Sequence, residues 1–489
     1  MNYHFWVIGC QMNVADSERI ARTLNEHGHR QVGTAEDADV VLLTSCTVRQ
    51  GAEDRLWGEL GKLGKLKKAR PDLVVGVTGC VTDGNVDGFL KKASMVDLYV
   101  NPRRPEELLQ YLDERGLIDS PDWGDLQPEK LGAGGSIATE RVSQAVSRYV
   151  PVIYGCNYNC TYCIVPYTRG VQNSRRPEEI LEESRWLLAE GAKEIVLLGQ
   201  TVDAYGEDLD PPTRLSDLLY KLNDLPGLER IRFLTSHPNH MTDDLIDAVA
   251  ALPKVCEHIN LPFQAGDDAI LKKMARRYKA QHYRDLVDRI KERVPNAGLS
   301  SDVIVGFCGE TEAQFERTLD MLRYVRFDVV HVAAYSPRRS TPSERLWEDD
   351  VQREEKKRRL HALEQLQAQI AAEKNAALDG AIVEVLVEGP SERKGASNGT
   401  LGEAGTPPPL PGGEGRGEGG LGGDHTLRPA ATTRWGGRTR SNKLVFFDAA
   451  YDPTGQLVKV LVDRTNPWYL EGQLLTPAPA RSRRLPVLA

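Results

Sequence analysis

Three cysteines fall within eight residues, in the stretch Tyr154-Gly155-Cys156-Asn157-Tyr158-Asn159-Cys160-Thr161-Tyr162-Cys163. The C-x3-C-x2-C spacing crowds three thiolates, which suits a soft metal centre better than a disulfide set. An ordinary zinc site wants four ligands, usually as two C-x2-C pairs. Three thiolates suit a four-iron cluster that leaves one iron open to a substrate. A structural zinc knuckle with a distant fourth ligand is the alternative.

The chain holds five further cysteines: Cys10, Cys46, Cys80, Cys256 and Cys308. The first three share a position. Phe5-Trp6-Val7-Ile8, Val40-Val41-Leu42-Leu43 and Val74-Val75-Gly76-Val77 read as short apolar strands, and each runs on into Gly9-Cys10, Ser45-Cys46 or Gly79-Cys80. Helical composition separates them, from Asp16 to Glu26, with Asp16-Ser17 as possible caps, and from Ala52 to Ala69. Such alternation predicts a doubly wound α/β domain, its parallel sheet covered on both faces. The functional edge of an open α/β sheet is the carboxyl end of its strands. Cys10, Cys46 and Cys80 are therefore expected to gather into a second metal site, while Cys256 and Cys308 read as packing residues.

From Ser147 the pattern is strand, loop, helix, repeated. Candidate strands are Tyr149 to Tyr154, Glu194 to Leu198, Arg230 to Leu234, His258 to Pro262, Leu299 to Val305 and Val329 to Tyr335. With helices such as Pro177 to Glu190 and Ala280 to Arg293 between them, they predict a partial (β/α)6 barrel. Sites on such barrels lie at the carboxyl ends of strands. The cysteine loop follows the first strand, and Gln200, Ser236 and Gln264 follow later ones. These three are candidate binding residues by rim position.

Val351 to Leu378 reads as one long helix with Leu360, Leu363, Leu366 and Ile370 as its packing stripe. Lys443 to Phe447, Val458 to Val462 and Trp468 to Leu470 read as strands of a small β barrel. A Gly/Pro-rich stretch from about 397 to 429 interrupts this region and is expected to be a disordered insertion. From Ala431 to Ala489 nine Lys/Arg face four Asp/Glu, a local +5 on a chain of net charge −8. The run Arg434-Trp435-Gly436-Gly437-Arg438-Thr439-Arg440-Ser441-Asn442-Lys443 joins cations to an aromatic, a mix that suits RNA phosphates and stacked bases.

A length of 489 residues implies two to four domains, and 40% hydrophobic with 27% charged residues is a globular composition. No apolar run approaches the roughly 18–20 residues of a spanning helix, so no membrane association is expected. Met1 to Cys10 lacks a charged start, so no signal peptide is expected. Eight cysteines are too few for a disulfide scaffold of this size, and a reducing cytoplasm is the expected location.

Several passages together resemble the methylthiotransferase family of radical S-adenosylmethionine (SAM) enzymes. They are Gly9-Cys10-Gln11-Met12-Asn13 with Asp16-Ser17-Glu18, Thr78-Gly79-Cys80, Tyr154 through Cys163 to Val165-Pro166-Tyr167-Thr168-Arg169-Gly170, Leu197 through Gln200 to Gly206, Arg232-Phe233-Leu234-Thr235-Ser236-His237-Pro238, Met274-Ala275-Arg276-Arg277-Tyr278, and Tyr335-Ser336-Pro337-Arg338. Departures from the usual pattern include Thr44-Ser45 before Cys46, Val81-Thr82-Asp83 after Cys80, Val171-Gln172-Asn173-Ser174, and Cys308 at a common proline site.

The resemblance implies an amino-terminal cluster domain over 1–118, a linker at 119–141, a radical SAM barrel over 142–377, a carboxyl-terminal TRAM RNA-binding barrel over 378–475 and a tail from 476. It implies two 4Fe–4S clusters, one with SAM on Cys156, Cys160 and Cys163, the other on Cys10, Cys46 and Cys80. Tyr162, Gln200, Ser236 and Gln264 become SAM contacts, with Tyr162 beside the SAM adenine. The Gln11-Met12-Asn13 passage points to methylthiolation of carbon 2 of N6-dimethylallyladenosine beside the anticodon of tRNA, with SAM as both methyl donor and radical source. Alternatives are threonylcarbamoyl-adenosine in tRNA, an aspartate of ribosomal protein S12, or an RNA-binding metalloprotein without activity. Implied partners are the tRNA anticodon stem-loop and a low-potential electron donor such as flavodoxin, with the enzyme a monomer.

Overall fold

The computed structural model describes residues 1–46, 50–80, 86–101, 104–118, 146–391 and 432–475. The expected linker at 119–141, the insertion at 397–429, the tail from 476 and the departures at Val81-Thr82-Asp83 lie outside these residues. The chain divides into two compact units, Met1–Gln367 and Ala368–Ala489. Both the expected cluster domain and most of the expected barrel domain thus fall in one unit. Among the described residues no helix is long and apolar enough to cross a membrane.

The first unit opens with a five-stranded parallel sheet of β1 (Asn2–Val7), β2 (Arg30–Gln31), β3 (Val40–Cys46), β4 (Val74–Cys80) and β5 (Leu98–Val100), in the spatial order β2-β1-β3-β4-β5. Every residue of β3 and β4 is buried. The two-residue period of a strand sends alternate side chains to opposite faces. Val41 and Leu43 accordingly pack with Leu56, Leu60 and Leu63 of helix α2 (Gln50–Ala69). Val40 and Leu42 pack on the other face with Ile20 and Leu24 of helix α1 (Gln11–Glu26) and with Leu108 and Leu112. Both faces are covered, as the continuous apolar strands require.

The cap expectation at Asp16-Ser17 is overturned. Helix α1 begins at Gln11, with Cys10 at its N-cap. Asp16 and Ser17 lie inside the helix and are buried. Ser17 Oγ bonds the Asn13 carbonyl and Thr44 Oγ1, and Asp16 pairs with Arg169. Partners from outside the helix win over the capping role that the residue types suggest.

The same unit continues with β6 (Ser147–Pro151), β7 (Ile153–Tyr154), β8 (Asn173–Ser174), β9 (Glu194–Leu198), β10 (Arg230–Phe233), β11 (His258–Asn260), β12 (Gly298–Val305) and β13 (Val329–Ala334). Two parallel triplets, β6-β9-β10 and β11-β12-β13, follow chain order. They join through the Ser236 N–H bond to the Asn260 carbonyl, at 3.0 Å. This is the expected six-strand arc. The strand read from Tyr149 to Tyr154 is two strands: β6 belongs to the arc, while β7 pairs antiparallel with β8. That short pair clamps the two ends of the cysteine loop.

In the second unit β14 (Ile382–Pro390), β15 (Thr433–Arg438), β16 (Leu444–Ala449), β17 (Leu457–Thr465) and β18 (Leu470–Leu474) close a barrel in the order β14-β15-β16-β18-β17. Trp468 precedes β18 rather than starting it. Only the first half of the cation and aromatic run, Arg434 to Arg438, lies in β15, and its stacking role for Trp435 is overturned. Trp435 is buried among Val385, Val445, Phe447 and Val460. Gly437 is required where it stands, since a Cβ there would lie 2.2 Å from the Leu386 carbonyl. Phe446 and Tyr469, half-buried, form an edge-to-face pair at 5.4 Å, with the Arg434 guanidinium over Phe446.

Candidate active site with two cysteine triads

The two triads are built in different ways. Cys46 and Cys80 are the last residues of adjacent parallel strands and stand in register with each other. Cys10 follows β1 by three residues, so three strand ends deliver the set as expected. Glycines make the approach possible. Gly9 has φ +148°, and a Cβ there would lie 3.1 Å from Cys46 Cβ. Gly79 has φ +91°, and its Cβ would lie 2.6 Å from the Ser45 carbonyl. Asn13 ties the set together: it accepts from Cys10 Sγ at 3.1 Å and donates Nδ2 to the Ser45 carbonyl at 2.6 Å.

Cys46 and Cys80 are buried, whereas Cys10 as a residue is exposed. Its sulfur nevertheless faces Asn13 and Cys46, which accounts for a partly dehydrated thiol. The hydrogen bond with Cys46 pulls the Cys10 thiol down to about 6; desolvation opposes this and the Arg169 charge adds to it. Burial pushes the Cys80 thiol up, against the Arg169 charge.

The loop from Cys156 to Cys163 carries the other triad. Gly155, at φ +67°, permits the loop to turn under residues 170 and 171; a Cβ there would lie 2.1 Å from the Val171 carbonyl. Backbone bonds hold the loop from several sides: Cys156 N–H to the Gly170 carbonyl at 3.2 Å, Thr161 N–H to the Met274 carbonyl at 3.1 Å, and Ser343 N–H to the Thr161 carbonyl at 2.8 Å. Cys156 Sγ lies 3.4 Å from Thr201 Oγ1, after β9. Arg276, buried, points Nη1 at Cys160 Sγ from 3.7 Å and donates Nη2 to the Pro262 carbonyl at 2.9 Å. Burial, then the neighbouring Cys160, pushes the Cys163 thiol up to about 12. This thiol needs a compensating cation before it can serve as a thiolate ligand.

Loops after β9, β10 and β11 converge on this triad. Tyr158 of the cysteine loop stacks on His237 at 3.9 Å. Its hydroxyl lies 2.8 Å from His240 Nε2, and His240 Nδ1 lies 2.8 Å from Glu207. The His237 N–H donates to both carboxylate oxygens of Asp203, at 3.0 and 2.8 Å. Burial pushes the Asp203 carboxyl well above its usual range, and burial with the Arg276 charge pushes His237 down to about 2. Three non-glycine residues adopt left-handed backbone around the triad: Thr235 and Gln264 at φ 68°, and Ala275 at φ 57°. Such strain persists where the surroundings fix a functional geometry.

The candidate SAM contacts divide. Ser236 and Gln264 are buried, Gln200 is half-buried, and Tyr162 packs edge-to-face on Phe307 at 6.5 Å. Ser236 Oγ and His237 Nε2 are buried polar atoms without a partner among the described residues. Asn239 N–H donates to His237 Nδ1, which puts the ring proton on Nε2. Buried polar atoms are normally satisfied, so this pair fits a polar ligand at the rim. Cys256 and Cys308 are buried as expected of packing residues. Gln172 is held by Asp208 and the Ala204 carbonyl, both at 3.1 Å.

The soft donor sets fit iron–sulfur ligation. Among the described residues no three His, Cys, Asp or Glu side chains are grouped to hold one metal ion. Thiolates of a four-iron cluster each ligate a different iron and need no common point. Sequence reasoning gave no role to Arg169, Arg276 or His237, read Asp16 as a cap, and used Asn13 only as part of a passage. The two arginines stand in passages already quoted for the resemblance, but burial beside a thiol has no signature in residue type.

Residues 150–322 match the radical SAM superfamily, residues 2–101 the uncharacterized protein family UPF0004, and residues 432–475 the TRAM domain. The chain is 42% identical over 477 residues to the tRNA-2-methylthio-N(6)-dimethylallyladenosine synthase of Herpetosiphon aurantiacus, covering 97% of each chain. It is 38% identical over 479 residues to the like-named protein of Thermoanaerobacter pseudethanolicus, covering 97% of this chain and 92% of the relative. Among solved structures, the radical SAM methyltransferase TsrM from Kitasatospora setae aligns with TM-score 0.52 and 14% identity over 70% of this chain and 77% of that one, a likeness of fold. The chain belongs to the radical SAM methylthiotransferase family, with the tRNA-2-methylthio-N(6)-dimethylallyladenosine synthases.

Proposed function

We propose that this enzyme methylthiolates carbon 2 of N6-dimethylallyladenosine next to the anticodon of tRNA, with two 4Fe–4S clusters and SAM. Full-length similarity to synthases of that name supports the substrate, and the two cysteine triads in one compact unit carry the reading. Cys156, Cys160 and Cys163 would hold the cluster that binds SAM, and Cys10, Cys46 and Cys80 the second cluster. When bound, these groups supply reductive cleavage of SAM at one site and a transferable sulfur at the other. The target hydrogen sits on an unactivated aromatic carbon, which an acid or base side chain does not readily remove.

The chain's own residues bind, orient and exclude water. Arg276 offsets thiolate charge at Cys160. Ser236 and His237 offer a hydroxyl and an N–H to a polar ligand, and Gln200 and Gln264 lie on the same rim. Tyr162, next to Cys163 in the chain, packs edge-to-face on Phe307, and burial strengthens every charge interaction there. Within the second unit Arg434, Phe446 and Tyr469 replace Trp435 as candidate RNA contacts.

The domain limits proposed from sequence, a monomeric state, a cytoplasmic location and a low-potential donor such as flavodoxin belong to the same reading. The test is mass spectrometry of a prenylated anticodon stem-loop RNA incubated with anaerobically reconstituted enzyme, SAM and reductant. The 2-methylthio nucleoside is the expected product. Unchanged RNA, with methylthiolated ribosomal protein S12 in a parallel reaction, would overturn the substrate.

A further inference from the structure

Arg169 lies six residues past Cys163, on the segment that carries the first triad, yet it serves the other one. It ends the short helix Val165–Arg169. Its Nε donates to Cys80 Sγ at 3.1 Å, and its Nη2 donates to Asp16 Oδ2 at 2.8 Å. The side chains of Arg169 and Asp16 are 6% and 1% exposed. Asp16 belongs to α1, the helix with Cys10 at its N-cap, and Asn13 of the same helix accepts from the Cys10 thiol. One guanidinium thus joins the segment after the first triad to both the helix and a strand end of the second.

A buried ion pair is weak evidence of stability, because desolvation offsets most of the attraction. A guanidinium bonded to a cluster thiolate has a further effect. Net charge and hydrogen bonds to sulfur set the potential of an iron–sulfur centre. A fixed positive donor at Cys80 favours the form with one more electron, and Asp16 both aims the donor and offsets part of its charge.

We propose that Arg169 is a positioning residue that raises the reduction potential of the cluster held by Cys10, Cys46 and Cys80, with Asp16 as its counterweight. This rests on the ligand reading above. The test uses the full chain with Cys156, Cys160 and Cys163 all changed to alanine, reconstituted so that only the second triad holds iron, and titrated by potentiometry with electron paramagnetic resonance. Arg169→Gln is expected to shift the reduction equilibrium at least tenfold towards the oxidised form, about 59 mV for one electron. Arg169→Lys should recover part of the shift, and Asp16→Asn should move the potential upward.

Because Arg169→Gln leaves the Asp16 carboxylate buried and unpaired, the double variant Asp16→Asn with Arg169→Gln is measured beside it. Iron bound with an unchanged potential in both would overturn the proposal while leaving the ligands standing. Loss of iron in Arg169→Gln, Arg169→Lys and the double variant alike would assign Arg169 to retention alone and overturn it also. Absence of any cluster in the parent would overturn the ligand reading and the proposal with it.

Discussion

The two cysteine triads have the same number of thiols and opposite construction. One is local: three residues on a loop, fixed by the β7-β8 clamp and by backbone bonds from residues 170, 274 and 343. The other is long-range: Cys46 and Cys80 meet only because β3 and β4 pair in register, and Cys10 arrives from a third strand. Each triad faces one buried arginine. Arg169 is bonded to a carboxylate, whereas Arg276 gives its other donors to the Tyr278 hydroxyl and the Pro262 carbonyl, both neutral. The arginine at the local triad therefore has no directly bonded carboxylate among the described residues to offset its charge. Positive surroundings favour a thiolate-rich centre that must accept an electron.

This contrast can be broken most severely at the ligands. Cys160→Ala and Cys80→Ala should each remove about four of about eight irons per chain, as two independent four-iron centres require. Loss of all iron from either single variant would show that the sites are one. At the arginines, Arg276→Gln should lower SAM cleavage roughly 10–100-fold, the usual scale for a group that supports a metal ligand. Arg276→Lys should recover part of the rate, since charge rather than the fork is the main requirement. An unchanged cleavage rate in Arg276→Gln would remove the electrostatic half of the comparison.

The glycines separate the two constructions structurally. Gly155→Ala and Gly79→Ala each force a Cβ into a backbone carbonyl at positive φ. Each should cost about 2 kcal/mol, from left-handed strain and steric overlap. Differential scanning calorimetry should show a lowered midpoint in both, while iron is lost only from the triad beside the altered glycine. Equal iron loss from both triads would mean that the loop and the sheet edge are not separately built.

The smallest effect at neutral pH is expected at His237. Burial holds it at about 2 in the folded chain, against an ordinary value of 6.5. Between these values the unfolded chain binds one more proton, so stability rises with pH there. The contribution is complete above pH 6.5 and is lost progressively as pH falls towards 2. Urea unfolding of His237→Asn should give an acid limb shallower by about 1.4 kcal/mol per pH unit. An unaltered slope would show that His237 is protonated alike in both states.

The local triad was legible from spacing alone, since C-x3-C-x2-C needs no fold to bring its thiols together. The distant triad became legible through strand ends, because β3 and β4 are continuous apolar runs whose carboxyl ends must share an edge. What escaped was the polar framework. Asp16-Ser17 has the composition of a cap, and only the arrival of Arg169 from 153 residues away makes Asp16 a buried partner. Trp435 stands among cations and glycines, and only barrel closure shows that alternation turns its ring inward. Both errors have one cause: residue type reports local preference, whereas burial is decided by elements far along the chain.

The division of labour between the triads is tested most directly by one assay of reconstituted Cys80→Ala with SAM, reductant and prenylated anticodon stem-loop RNA. Chromatography with mass spectrometry reads 5′-deoxyadenosine and the 2-methylthio nucleoside from the same reaction. The expected result is continued formation of 5′-deoxyadenosine with no 2-methylthio nucleoside. Formation of that nucleoside at the rate of the unaltered enzyme would contradict it, because sulfur would then reach the adenine without the second triad.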